Sequence, residues 1–254
     1  MDSRRLNYLR ALDIDVWERR DLVREAVAVA PAHPEPARIE KVVEPSAPIA
    51  PVQAPGAADD VGSMDWNTLE QTVRSCTRCD LYSGRTQSVF GVGNRTAQWM
   101  VIGEAPGVDE DRQGEPFVGR AGQLLNSMLK AVGLAREQVF IANILKSRPP
   151  GNRDPRPEEV RACIPYLYRQ IELVNPTLIL CVGRIAAQTL LAVDTPIGKL
   201  RGRLHTLASG RPMIVTYHPA YLLRSPGEKR KAWADLVLAM QTFERLATTQ
   251  VSAD

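Results

Sequence analysis

Four short runs of apolar residues recur along the chain, at 99–102, 139–145, 177–182 and 213–217. Runs of this length and composition are typical of strands that are buried on both faces of a sheet. The pattern therefore predicts four interior strands.

Apolar residues spaced for one face of a helix lie between and after these runs. A proline followed by two acids at 157–159 is a good helix opening, because proline fits the first turn and acids favour the positive helix end. The apolar stripes comprise Leu125, Met128, Leu129 and Val132, and then Trp233, Leu236, Val237 and Met240. Strands that alternate with helices predict an α/β fold with three α/β/α layers and a central, mostly parallel four-stranded sheet.

The N-terminal part of the chain has a different pattern. Residues 1–26 are predicted to form a helical appendage, with leucines and a tryptophan spaced loosely along one side. Residues 27–62 are rich in alanine and proline, which favours an extended linker. A globular domain is predicted over 63–254. The appendage is either a docking helix for a protein partner or a dispensable tail.

Composition is ordinary for a soluble protein, with 44% hydrophobic and 24% charged residues. No apolar run approaches the roughly 18 residues that span a bilayer, and the charged N-terminus lacks the apolar core of a signal peptide. We therefore expect a cytoplasmic monomer that does not enter membranes. The net charge of +3 is compatible with nucleic-acid binding but too small to indicate it.

Polar side chains follow or interrupt three of the predicted strands. Glu104 lies in a glycine- and proline-containing loop after the first strand, Asn143 interrupts the second, and His218 follows the fourth. The carboxyl ends of parallel strands meet at one edge of a sheet, where ligands bind. Each residue taken alone also suits a structural role. Together they predict a polar pocket for a small planar ligand.

Three blocks of sequence resemble those of the family 4, iron–sulfur-containing uracil-DNA glycosylases. The first contains Gly-Glu-Ala-Pro-Gly at 103–107 and Pro-Phe-Val-Gly at 116–119, the second contains Asn143 and the run 148–155, and the third begins with His-Pro-Ala at 218–220. The blocks stand in the family's order, and the match extends from about Cys76 to the terminal helix. On this resemblance the chain is identified as a member of the uracil-DNA glycosylase superfamily.

The resemblance implies a monofunctional DNA glycosylase that hydrolyses the N-glycosidic bond of a flipped-out deoxyuridine, releasing uracil and leaving an abasic site. Phe117 would stack on the uracil, and Asn143 would read its edge, since an amide offers both a donor and an acceptor. His218 would donate a hydrogen bond to the uracil carbonyl as negative charge develops there. Glu104, with the backbone at Ala105, would hold the attacking water or the cationic sugar.

The segment 221–224 resembles the loop that enters the DNA duplex in this family. The resemblance places Tyr221, Leu222 and Arg224 in contact with DNA, which makes uracil-containing DNA the implied partner. A further group of basic residues suits phosphate contacts and a solvated surface equally well: Lys199, Arg201 and Arg203.

The four cysteines of the chain raise the question of a metal site. Cys76 and Cys79 form a C-x-x-C pair, which suits zinc, redox chemistry or iron–sulfur ligation. The resemblance implies a 4Fe-4S cluster with Cys76, Cys79 and Cys163 as ligands, but Ser147 stands at the position of the fourth cysteine. Cys181 lies in an apolar run and is predicted to belong to the core. The cluster is then held by three cysteines plus Ser147 or another ligand, is a labile three-iron form, or is absent.

Two other functions fit parts of the pattern. A superfamily glycosylase for another deaminated base would share the pocket, although residues 146–156 lack the histidine through which one relative captures uracil covalently. A non-catalytic or polymerase-associated DNA-binding module would not require all of the pocket residues. The joint presence of Glu104, Asn143, Phe117 and His218 favours the uracil-DNA glycosylase.

Overall fold

The computed structural model describes residues 61–251 of the 254-residue chain, with side chains described to residue 248. The appendage predicted for 1–26 and nearly all of the linker predicted for 27–62 lie outside the described residues. The last two residues of that linker, Val61 and Gly62, form a 3-10 turn with Ser63. Val61 is buried in a cluster with Leu69 and Tyr166, so packing in the described part begins at this turn.

Six strands and nine α-helices make up the described residues. The strands are β1 (Val92–Gly93), β2 (Trp99–Gly103), β3 (Phe140–Asn143), β4 (Leu178–Val182), β5 (Leu204–Thr206) and β6 (Pro212–Thr216). The helices are α1 (Trp66–Arg74), α2 (Leu81–Gly84), α3 (Val108–Gln113), α4 (Arg120–Ala131), α5 (Pro157–Val174), α6 (Arg184–Leu191), α7 (Ile197–Leu200), α8 (Pro219–Arg224) and α9 (Lys229–Val251). Further 3-10 turns lie at Arg136–Gln138, Pro150–Asn152 and Pro226–Glu228.

The six strands form one sheet in the order β1-β3-β2-β4-β6-β5. The four predicted strands are its inner, parallel strands β3, β2, β4 and β6. The predicted count of four was wrong because two antiparallel edge strands, β1 and β5, complete the sheet. These edge strands are two and three residues long and not fully buried, so they carry no apolar run that a sequence pattern could detect.

Helices cover both faces of the sheet, which confirms the predicted three layers. Met100 and Ile102 of β2 face a core that α5 and α6 complete. Trp99 and Val101 of the same strand face a second core, which α4 and α9 complete. Successive side chains of a strand point to opposite faces, so one short strand contributes to both cores.

The helix start predicted at 157–159 and the first predicted apolar stripe both agree with the observed helices. Pro157 occupies the first turn of α5, and the Glu159 side chain accepts a hydrogen bond from the Arg156 backbone N–H at 2.8 Å. Leu125, Met128 and Leu129 of the first apolar stripe are fully buried on α4. No helix in the described part is long and apolar enough to cross a membrane.

Candidate active site

The carboxyl ends of β2 and β3 bring Glu104 and Asn143 to the same edge of the sheet. Gly103 at the end of β2 pairs in register with Asn143 at the end of β3. The pairing continues beyond the strands, because the Leu145 backbone N–H donates to the Glu104 carbonyl at 3.0 Å. The two loops therefore leave the sheet side by side, as the sequence predicted.

Asn143 and Phe117 converge on Gly103. A Cβ at this glycine would lie 2.5 Å from Asn143 Oδ1 and 2.6 Å from the Phe117 ring, so a larger residue would displace one of them. Asn143 is 2% exposed, and its Oδ1 is a buried atom without a hydrogen-bond partner. A buried carbonyl oxygen without a donor in the chain is unusual, and it leaves Oδ1 free to accept a hydrogen bond from outside the chain.

The Phe117 ring also faces His218. The two ring centroids are 5.5 Å apart and the ring planes differ by 30°. His218 follows β6 and precedes α8, which places it at the same sheet edge. Phe117 is therefore close to both Asn143 and His218 at this edge of the sheet.

His218 is held in one tautomer by the start of α8. Its Nδ1 accepts a hydrogen bond from the Ala220 backbone N–H at 3.1 Å, so the ring proton of the neutral form lies on Nε2. The pKa of His218 is lowered to about 4, mainly by burial and also by the charge of Arg224, while Glu110 opposes the shift. At neutral pH His218 is thus an uncharged hydrogen-bond donor through Nε2.

Glu104 lies half-buried at the same edge, beside charged residues from two loops. The pKa of Glu104 is raised to about 7, mainly by burial and also by the charge of Asp154, while Arg184 opposes the shift. Arg184 and Asp154 form an exposed ion pair of 3.0 Å. Ala105, next to Glu104, packs partly buried against the core. Glu104 is consequently poised to exchange a proton near neutral pH.

The comparison with protein families matches residues 90–237 to the model described as the uracil DNA glycosylase superfamily. This match covers more than half of the chain. It includes all six described strands and the residues Glu104, Phe117, Asn143 and His218, and it begins after the 3-10 turn at Val61–Ser63. The chain belongs to the uracil-DNA glycosylase superfamily.

The sequence of this glycosylase is similar to those of several type-4 uracil-DNA glycosylases. The enzyme of Archaeoglobus fulgidus is 48% identical over 165 residues, which span 62% of this chain and 83% of the relative. The enzyme of Thermotoga maritima is 43% identical over 158 residues, spanning 62% and 82%. The enzyme of Pyrobaculum aerophilum is 39% identical over 185 residues, spanning 69% and 93%. The relatives thus match the globular part of the chain over most of their own length.

Helix α8 of the glycosylase carries the residues predicted to contact DNA. Tyr221 is 37% exposed and Arg224 is exposed, so both side chains are accessible to a partner. Leu222 is only 1% exposed and packs into the core, so the structure does not support its predicted contact with DNA. The exposed leucine of the helix is its neighbour Leu223, at 37%. The helical turn points the two leucines in different directions, which the motif alone does not reveal.

The three basic residues before β5 have different surroundings: Arg201 is paired within the fold, and Lys199 and Arg203 are exposed. Arg201 forms an ion pair with the fully buried Asp235, with Nη2 and Oδ1 2.7 Å apart, and lies over the Tyr217 ring. Its guanidinium therefore stabilises the fold instead of pointing outwards to a phosphate. Lys199 and Arg203 are exposed.

The predicted cysteine ligands of the glycosylase lie around α5. Cys79 and Cys163 hydrogen-bond to each other through their side chains, which lowers the pKa of Cys79 to about 6 and raises that of Cys163. Cys76 Sγ accepts a hydrogen bond from the Tyr166 hydroxyl at 3.3 Å. Cys181 is fully buried in β4, where it was predicted to belong to the core.

Ser147, at the predicted position of the fourth ligand, is hydrogen-bonded to an arginine side chain. Its Oγ accepts a hydrogen bond from Arg85 Nη1 at 3.0 Å, and Arg85 Nη2 donates to the Arg74 carbonyl at 2.9 Å. Neighbouring Lys146 is buried, and its Nζ donates to the Asn143 carbonyl and to Gln170 Oε1. Among the described residues, no three His, Cys, Asp or Glu side chains are grouped to hold a metal ion. Cys79 and Cys163 therefore contact each other, whereas the fourth predicted ligand position holds the Ser147 hydroxyl, which is occupied by Arg85.

Two residues that shape the pocket were given no role by the sequence. Glu110 accepts hydrogen bonds from backbone N–H groups on either side of the Phe117 loop, and Arg136 donates to carbonyls within it. Glu110 lies between the two parts of the first block, at 103–107 and 116–119, so its nearness to the motif was visible in the sequence but its hydrogen-bond partners were not. Arg136 lies 19 residues after Phe117, and no local pattern connects the two.

Proposed function

We propose that this chain is a monofunctional uracil-DNA glycosylase of base excision repair, which hydrolyses the bond between uracil and deoxyribose in DNA and leaves an abasic site. The observation that carries the proposal is the unpartnered Oδ1 of Asn143, buried beside the Phe117 ring and close to His218. This arrangement supplies a flat apolar surface, an amide and a neutral donor to a single planar ligand.

The Asn143 amide suits the edge of uracil and disfavours that of cytosine. Uracil presents a donor at N3 beside an acceptor at O4, so Asn143 Oδ1 would accept from N3 while Nδ2 donates to O4. Cytosine presents an acceptor at N3 and a donor at N4, which reverses both requirements. An amide held in one orientation would leave buried groups unpaired with cytosine, and such losses discriminate strongly.

His218 would stabilise the departing base. When the glycosidic bond breaks, its electron pair moves to the uracil ring, and negative charge spreads to the carbonyl oxygens. A neutral His218 can donate a hydrogen bond from Nε2 to this negative charge without transferring the proton to the base. The low pKa of His218 therefore favours a hydrogen-bond donor over a general acid.

Glu104 would act on the sugar side of the bond. The deoxyribose develops positive charge in an oxocarbenium-like transition state, which an ionised carboxylate stabilises while it orients the attacking water. Water adds to the sugar carbon, and its proton passes to Glu104 or to solvent. The proposed reaction uses water and no amine nucleophile, so its product is an intact strand with an abasic site.

DNA would be bound along the exposed side of α8. Tyr221 and Leu223 are exposed apolar side chains on this helix, and Arg224 adds positive charge beside them. Apolar wedges with a neighbouring arginine suit the space that a flipped nucleotide leaves in a duplex. Leu223 takes the wedge role that the sequence assigned to Leu222.

Two substitutions test the function against a binding module that has lost catalysis. Asn143→Ala and His218→Ala are expected to reduce uracil release at least about 100-fold, because each removes a group that meets the base in the transition state. DNA affinity should change little in both variants. The measurements are single-turnover base release and binding to an uncleavable duplex, with His205→Ala on edge strand β5 as the matched control. A loss of DNA binding in both variants, from a protein without excision activity, would instead establish the binding module.

We also propose that Cys76, Cys79 and Cys163 hold an iron–sulfur cluster that is easily lost. When bound, the cluster would brace the surrounding loops and take no part in the reaction. Support comes from the contact between the Cys79 and Cys163 thiols, from Cys76 beside Tyr166, which lies on the same helix as Cys163, and from the Arg85 guanidinium that donates to Ser147. The reason for the lability is Ser147, whose hydroxyl is a weaker and harder ligand for iron than a thiolate.

Ser147→Cys tests the cluster without reference to activity. Protein purified without oxygen is expected to absorb broadly near about 400 nm and to lose this absorbance in air. Ser147→Cys should slow the loss and raise the iron and sulfide content, whereas Ser147→Ala should behave as the original chain does. Absence of iron from all three proteins after anaerobic purification would contradict the proposal and leave the glycosylase function standing.

A further inference from the structure

The backbone of Phe117 adopts a conformation that aromatic residues rarely occupy. Its φ is +55°, in the left-handed region. For a bulky residue this region is strained, and it persists only where the surroundings enforce it. Something in this structure therefore holds Phe117 in place.

Arg136 holds the loop from the carbonyl side. Its Nη2 donates to the Pro116 carbonyl at 2.6 Å, and its Nη1 donates to the Phe117 carbonyl at 3.2 Å. The planar guanidinium thus fixes the peptide groups on both sides of the Phe117 Cα. Burial lowers the pKa of Arg136, which nevertheless remains a cation at neutral pH.

Glu110 holds the same loop from the amide side. Its Oε1 accepts hydrogen bonds from the Val118 and Gly119 backbone N–H groups at 2.9 and 3.1 Å, and its Oε2 accepts one from Gly107 at 3.0 Å. One carboxylate therefore ties the loop after Phe117 to the loop that carries Glu104. Hydrogen bonds to an ionised group are about twice as strong as neutral ones.

Helix α4 closes the remaining side of the loop. A Cβ at Gly122, in the first turn of α4, would collide with the Phe117 carbonyl. The absence of a side chain here lets the helix approach this carbonyl while Arg136 reaches it as well. The Phe117 peptide is consequently confined by three parts of the chain.

We propose that Arg136 and Glu110 are positioning residues for base recognition, which set the Phe117 ring at the angle that stacks on the flipped base. The inference rests on the proposed function, because it assigns a purpose to the strained geometry of that site. Neither residue touches the substrate, and both act through the Phe117 backbone. The strain at Phe117 is what aims its ring at Gly103 and His218.

A kinetic double-mutant cycle tests this dependence on Phe117. Arg136→Ala is expected to lower kcat/KM for uracil excision about 10-fold to 100-fold, because a small displacement of a positioning group is costly. In a Phe117→Ala background the same change should cost less than about twofold, since the ring it positions is gone. Arg136→Lys, which keeps one donor, should recover part of the activity. An equal loss in both backgrounds would overturn the proposal.

The control is another arginine that donates to a backbone carbonyl away from the pocket. Arg169 Nε donates to the Met64 carbonyl at 2.7 Å and lies on α5. Arg169→Ala should leave kcat/KM unchanged even where it lowers Tm. If Arg136→Ala fails to fold, Glu110→Gln replaces it in the cycle, because it weakens the clamp without removing the side chain.

Fluorine-19 NMR tests the clamp without any substrate. The chain has four phenylalanines, so 4-fluorophenylalanine labelling gives few signals, and Phe117→Leu identifies the one from Phe117. This signal is expected to move and broaden in Arg136→Ala and to stay in place in Arg169→Ala. An unmoved Phe117 signal would refute the clamp. A protein that shows the shift but releases no uracil would retain the clamp and lose the proposed function.

Discussion

Burial moves the pKa values of the two titratable pocket residues in opposite directions, and both shifts favour the neutral form. For His218 the pKa falls to about 4, so the ring stays neutral over the whole physiological range. For Glu104 the pKa rises to about 7, so its charge changes near neutral pH. The pH dependence of the reaction should therefore come from Glu104 and not from the histidine.

The rate of uracil release is expected to rise with pH through about 7. Glu104 acts as a carboxylate, and its raised pKa means that the ionised form is lost as pH falls below that value. Well below the pKa, kcat/KM should fall about tenfold for each pH unit. The check is a pH profile of kcat/KM, which reports the free enzyme. Glu104→Gln should lower the rate and remove the rise, whereas an unchanged slope in that variant would assign the titration to another group.

Asn143 shows how much of a single residue's environment the sequence can predict. An amide inside an apolar strand indicated a buried polar group, and the structure buries it at the strand end. Its unpartnered oxygen was not predictable, because it depends on Phe117 and Gly103 approaching from elsewhere in the chain. The clamp on Phe117 was beyond the sequence for the same reason, since it consists of side chain to backbone bonds.

Helix α8 shows why a motif does not by itself reveal which of its residues are exposed. The sequence located the apolar and basic segment, but the choice between Leu222 and Leu223 depends on which one faces α4 and the core. Packing buries Leu222 and leaves Leu223 at 37% exposure. The two adjacent leucines therefore offer a matched pair of variants.

Leu222→Ala is expected to affect mainly the stability of the fold, and Leu223→Ala mainly the rate of excision. Leu222→Ala should reduce the free energy of unfolding by about 2–5 kcal/mol, because it opens a cavity in the core. Leu223→Ala should change it by less than about 0.5 kcal/mol but slow excision from duplex DNA more than from single strands. Denaturant unfolding and parallel rate measurements on the two substrates check this. Equal stability losses, or a Leu223 effect that is the same on both substrates, would contradict the assignment.

The sheet itself was predictable where its strands are buried on both faces. β2, β3, β4 and β6 consist almost entirely of apolar residues, so their runs stand out. β1 and β5 at the edges pair through backbone hydrogen bonds, which depend little on side-chain character. They were therefore missed, although they complete the sheet.

The described chain organises its chemistry at one edge of a single sheet and its cysteines around α5. Lys146 connects the two regions, because it donates to the Asn143 carbonyl and adjoins Ser147. This buried hydrogen bond links Asn143, the residue proposed to read the base, to the cysteine region. Resemblance at the level of motifs anticipated both regions, whereas the Arg85–Ser147 hydrogen bond is visible only in the folded chain.

Base release from a set of matched duplexes is the most direct measurement of what this molecule does. The duplexes differ only at one position, which carries uracil, cytosine, thymine or hypoxanthine, and the free base is quantified by chromatography. We predict release of uracil, negligible release of cytosine and thymine, and strands that break only after alkali treatment. Release of hypoxanthine in preference to uracil, or no release of any base by folded protein, would contradict the account.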